Sequence, residues 1–284
     1  MMQTLVLALL LASILAFLLA AVRHRVCAAL HRRRPLVWAV PLCLTAIFTA
    51  AAFLAGVPSL WLTALVLAYT LLPTAAVFKG WDFTAVLLLW LPLEFGAGGN
   101  LVPRAAQGFL HSVAYGIAIL LGLVLFLGFR KLPAMKYNLP HDWRDLWRPL
   151  LGFAIVAPVL ILVGIAIGFI PPPHLPVQSA GRMAAAAPLI FAATALPEEI
   201  LFRALIQNIL MQRLGESTRT LVLASVIFGA AHLDNGPQAL PNWRYMILAT
   251  IAGVAYGKVF QKSSTVLSSA GLHMAVDWTK HFFF

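Results

Sequence analysis

Residues 197–203 read Pro197-Glu198-Glu199-Ile200-Leu201-Phe202-Arg203. They interrupt an otherwise almost wholly apolar run from Met183 to Met211. A run of that length reads as membrane-embedded helix, where each ionisable side chain costs about 2.5 to 3.5 kcal/mol at the bilayer centre. Groups kept at such a cost face a bundle interior and find partners there. Glu199 and Arg203 stand four apart, one helical turn, and can pair along one face. The bland reading of that pair is a salt bridge that only holds helices together. Glu198 points about 100° away from Glu199, so the salt bridge leaves it unexplained and available for other work.

The composition around this stretch excludes a soluble domain. Of 284 residues, 62% are hydrophobic and 10% charged, far from soluble usage. The fold class is an all-α polytopic membrane protein, a transmembrane helix bundle of about ten spans, with eight as the lower count. The spans fall near 3–22, 36–56, 60–78, 83–95, 108–128, 149–170, 193–213, 219–233, 244–260 and 264–280. The run 3–22 has its positive charge after the apolar stretch, at Arg23, His24 and Arg25, so it reads as a retained span rather than a signal peptide. Ten spans place most Lys and Arg in loops on one side, as the positive-inside rule requires. The net charge of +11 therefore calls for anionic lipid rather than nucleic acid. Cys27 and Cys43 form neither a disulfide framework nor a zinc motif. The proline-rich loop 171–182 separates a transmembrane region of unassigned role, 1–182, from a C-terminal helix bundle, 183–284.

Few other ionisable groups reach membrane depth in that second part, and they are regularly spaced. His232 ends Phe228-Gly229-Ala230-Ala231-His232, and the last span carries His273-Met274-Ala275-Val276-Asp277. His273 and Asp277 are one turn apart and face one side. Counted at 1.5 Å per residue from the inner ends of their spans, Glu198, His232 and Asp277 all lie about 8 to 9 Å beneath the same face. Independent structural salt bridges have no need of a shared layer. Such a layer suits water activation: a carboxylate takes a proton, one imidazole holds the water, and another polarises a carbonyl. Glu198, His232, His273 and Asp277 could equally hold a divalent metal such as zinc with a water position open.

Together the three blocks resemble the CPBP family of intramembrane proteases, which includes the Rce1-type CAAX prenyl proteases and the bacterial Abi proteins. Glu198, Glu199 and Arg203 match its Glu-Glu-x-x-x-Arg block, Phe228 and His232 its Phe-x-x-x-His block, and His273 and Asp277 a relative of its His-x-x-x-Asn block. The resemblance covers roughly 183–280. It implies an eight-helix-type bundle and an intramembrane endopeptidase that cleaves a membrane-anchored or lipidated protein. Glu198 would activate water with help from His232, His273 and Asp277 would form the oxyanion site, and Glu199 with Arg203 would support them. Asp277 departs from the Asn of the prenyl proteases. An ionised Asp cannot donate to an oxyanion, so it must be protonated, bind a metal, or orient His273.

Two other classes compete with a protease. A proton-coupled transporter would use the buried carboxylates and histidines as a relay, but would be expected to carry paired repeats, and none is legible. A non-catalytic immunity or scaffold protein of the same fold would have little reason to keep Glu198, His232 and His273 together. The size and the high Ala and Leu content point to a bacterial inner membrane.

Overall fold

The structure, a computed structural model, describes residues 2–236 and 240–284, and every regular element among them is helical. The chain divides into two compact units, Met1–Pro133 and Ala134–Phe284. This boundary lies earlier than the expected division at 182/183, because the helix Arg144–Ala166 packs on the last two helices of the chain.

The first unit holds α1 (Met2–Ala16), α2 (Ala20–Arg32), α3 (Ala39–Leu54, after a 3-10 turn at Arg34–Trp38), α4 (Leu60–Phe78), α5 (Asp82–Glu94) and α6 (Arg104–Leu123), which continues as a π segment, Val124–Phe129. The expected single span at 3–22 is corrected here: α1 and α2 meet at 87°. Arg23 holds the elbow, its Nη1 donating to the carbonyls of Phe17 and Leu18 at 2.8 and 2.7 Å. Carbonyls left without amide partners at a broken helix need such donors when water is scarce.

In the second unit α7 (Arg144–Ala166) opens the bundle. From Ala180 to Leu214 the chain is one helical run of changing pitch: α8 (Ala180–Ile190), a π segment at Phe191–Ala195, α9 (Leu196–Glu199), a longer π segment at Ile200–Gln207, and α10 (Asn208–Leu214). Pro188 and Pro197 lack amide protons, so the α ladder cannot run unbroken past them and wide turns take up the difference. Then follow α11 (Thr218–Ala230), α12 (Trp243–Lys262) and α13 (Leu267–Phe283). Ser217 and Asn242 cap α11 and α12 by accepting from Thr220 N and Tyr245 N.

Ten helical stretches thus stand where ten spans are expected, but among the described residues four helices are long and apolar enough to cross a bilayer, or five if the bent α1–α2 pair is one span. The count falls short for a physical reason. α5 and α11 have only 13 residues each, and the helices of the second unit spend interior positions on the polar groups described below. These apolar helices make the chain an integral membrane protein.

Two contacts set the frame of the site. α11 and α12 approach closely at Gly229, where a Cβ would lie 2.0 Å from Thr250 Oγ1 and 2.6 Å from the Met246 carbonyl. Small residues allow this approach, the usual device of membrane helix pairs. The start of α13 is tied to α7 by buried Asp145. Its carboxylate accepts from Ser264 N at 2.9 Å, from Ser264 Oγ, and from the amides of His141 and Asp142. Its carbonyl accepts from Ser268 Oγ at 2.7 Å. The stretch 141–148, which reads from sequence as a surface amphipathic helix or the start of the sixth span, leads into α7 and forms its first turn, with Asp142 Oδ1 accepting from Arg144 N at 3.1 Å.

Candidate active site

Glu199 lies at the centre, fully buried, with its two oxygens divided between two partners. Oε2 accepts from Arg203 Nε at 3.2 Å, and Oε1 faces His273 Nδ1 at 3.2 Å. The pair expected from four-residue spacing therefore forms, but Glu199 also grips the imidazole of α13. Arg203 has no exposed surface. Its guanidinium lies 4.6 Å from the Phe228 ring centroid and 5.8 Å from that of Tyr256. Aromatic faces stabilise a desolvated cation, so Phe228 packs against the charge itself.

His273 is held from every side. Tyr256 stacks on it with centroids 4.6 Å apart at 21°, and Phe228 stands edge-on at 5.8 Å. Its Nε2 lies 3.4 Å from Asp277 Oδ2 and 3.9 Å from Glu198 Oε2. Both distances exceed a tight hydrogen bond, so the proton on Nε2 is not committed to one acceptor. With Glu199 on one nitrogen and two carboxylates near the other, the imidazolium is the form that satisfies all three contacts.

His232, just past the end of α11, places Nδ1 2.9 Å from the Phe228 carbonyl. A carbonyl only accepts, so the bond assigns the proton to Nδ1 and leaves Nε2 of the neutral ring as an acceptor. Phe228 and Tyr245 meet this ring edge-on at 4.8 and 4.5 Å. His232, His273 and Asp277 line one cavity of about 80 Å³, room for several waters. Its remaining wall is mostly apolar, including Phe153, Leu160 and Leu248. Glu198 approaches His273 from the α9 side, its side chain 23% exposed against none for Glu199.

All six expected residues thus belong to one neighbourhood. Among the described residues no three His, Cys, Asp or Glu side chains gather as a ligand set for a metal ion. Of the residues expected as zinc donors, His273 faces Glu198 and Asp277, and His232 faces the Phe228 carbonyl.

Sequence reading missed two contributors. They are Tyr245 and Tyr256, both on α12. Their spacing carried a signal: Tyr245, Ala249, Ala252 and Tyr256 recur at helical intervals, and all four line the cavity. Lys280 also lines it, with Nζ 4.3 Å from the Tyr245 centroid.

Residues 180–279 match the family model of the Rce1-like type II CAAX prenyl endopeptidases. That stretch contains all six site residues. No curated protein and no solved structure matches the chain.

Proposed function

We propose that the Rce1-like CAAX-protease domain at residues 180–279 is an intramembrane endopeptidase that hydrolyses a peptide bond of a membrane-anchored or lipidated protein with water activated by Glu198. The observation that carries this reading is the convergence of Glu198, Glu199 and Asp277 on the imidazole of His273, beside a cavity that His232 shares.

Glu198 is the general base, the less buried of the two adjacent carboxylates. It takes a proton from water as the oxygen attacks the peptide carbonyl, and returns that proton to the leaving amine nitrogen. His232 positions the water, because its free Nε2 accepts a hydrogen bond. His273 donates from Nε2 to the oxyanion, where a preorganised donor contributes most. Glu199 and Arg203 are positioning residues that fix the ring of His273. Asp277, whose Oδ2 lies 3.4 Å from that same Nε2, orients the ring as an acceptor until the oxyanion takes the proton's bond, a role in which the Asp need not donate. No step passes through a metal ion. A bacterial inner membrane is the proposed setting, and the membrane-embedded domain meets its substrate there.

Wild type and Glu198→Gln, expressed at equal abundance, are compared by terminal proteomics of the host's membrane-anchored proteins. A defined set of termini that vanishes with Glu198→Gln is expected. Identical termini from a folded variant would overturn the reading.

A further inference from the structure

Several elements of the first unit bring cations and aromatic rings to one end of the bundle. His31, at the end of α2, stacks on Phe129 at 6.4 Å, and the Arg34 guanidinium lies 5.4 Å from the Phe129 centroid and 6.0 Å from that of Phe78. Phe78 and Phe129 lie 6.0 Å apart, and Lys79 lies over Trp81 at 5.7 Å. The same end carries Arg32, Arg33, Arg130 and Lys131. No acidic residue precedes Asp82 in the chain. Asp82 is itself occupied by a two-pronged bond from Arg130, at 2.9 and 2.7 Å. Among the described residues Arg32, Arg33, Arg34, Lys79 and Lys131 make no ion pair with a carboxylate, and all five are exposed.

The geometry points to a binding surface for anionic phospholipid headgroups at this corner. Three features select a bilayer surface over a soluble polyanion. Lys79 follows α4, Arg130 and Lys131 follow the π segment that ends α6, and Arg34 opens the apolar run Arg34–Leu54, three helical stretches long and apolar enough to cross a membrane, which is headgroup depth. Phe78 and Trp81 are 47% and 58% exposed there, as interfacial rings are. The basic helix α2 turns 87° from apolar α1, the posture of a segment that leaves the hydrocarbon and lies along its surface. Arg34, resting on two rings, keeps its guanidinium edge for a phosphate, and its neighbours supply the surrounding field. This surface does not depend on the protease reading.

Full-length protein in neutral detergent is titrated with short-chain fluorescent phosphatidylglycerol, with the phosphatidylcholine of the same chains, and with a labelled DNA oligonucleotide. Phosphatidylglycerol is expected to bind at least tenfold more tightly than phosphatidylcholine at low salt. That preference should fall to within about twofold when Arg32, Arg33 and Arg34 are all changed to Gln. A Lys258→Gln, Lys262→Gln variant, altered in the other unit, should keep it. Circular dichroism and size exclusion verify that each variant is folded. Equal binding of the two lipids, an unchanged preference in the triple variant, or tighter binding of the oligonucleotide than of phosphatidylglycerol would each overturn the assignment.

Discussion

Changing Glu199 to Gln and Glu198 to Gln, one at a time, separates two neighbouring carboxylates that look interchangeable in the sequence. Glu199 uses one oxygen for His273 and the other for Arg203, both at 3.2 Å. Gln has a single acceptor oxygen, so one of these donors must face an NH2 group. Arg203 and Glu199 have no exposed side-chain surface, and removing one partner of such a buried pair costs about 3 to 5 kcal/mol. The rings of Phe228 and Tyr256 remain and return about 1 kcal/mol, and the surviving acceptor returns about as much again. The expected net loss is about 1 to 3 kcal/mol, or roughly 2 to 12 °C in melting temperature on the scale of soluble proteins of similar size. Glu198 is partly exposed and sits 3.9 Å from His273 Nε2, so Glu198→Gln should cost under about 1 kcal/mol. The catalytic effects run the other way. Removing a general base costs about 10²- to 10⁴-fold in rate, so Glu198→Gln should lose cleavage while melting near wild type. Tryptophan-fluorescence melting in detergent, run beside a cleavage assay, reads both. Equal melting temperatures for the two variants, or full activity in Glu198→Gln, would refute the division of labour.

Three further expectations follow from the same geometry. Gly229→Ala should destabilise the second unit by about 1 to 3 kcal/mol, measured by melting, because the new Cβ meets a backbone carbonyl at 2.6 Å that cannot swing aside. Asp145→Ala should lower stability by about 3 kcal/mol and reduce activity as well, since the start of α13 loses the tie that positions His273; wild-type turnover in this variant would show that the tie is not needed for the site. Under the proposed Glu198 mechanism, chelation with EDTA should leave cleavage within about twofold of untreated enzyme; loss of activity restored only by added zinc would reverse that expectation.

The composition and the periodic apolar runs determined the helical class and the membrane setting, because a chain with 62% hydrophobic residues must satisfy its backbone internally wherever lipid surrounds it. The spacing of Glu199 with Arg203 and of His273 with Asp277 determined which pairs share a face, since helix geometry is local. Helical stretches were legible for the same reason, but the elbow at 17–19 was not: Arg23 reaches back to two carbonyls that hydropathy does not see. Only the tertiary structure decided that Glu199, on α9, reaches His273, on α13, and that Tyr256 and Phe228 enclose the ring. It also decided that α7 packs with the second unit and that Arg34, Phe78 and Phe129 share one corner. Those contacts join residues distant in the chain, and their partners are chosen by packing between helices, which the period of one helix cannot express.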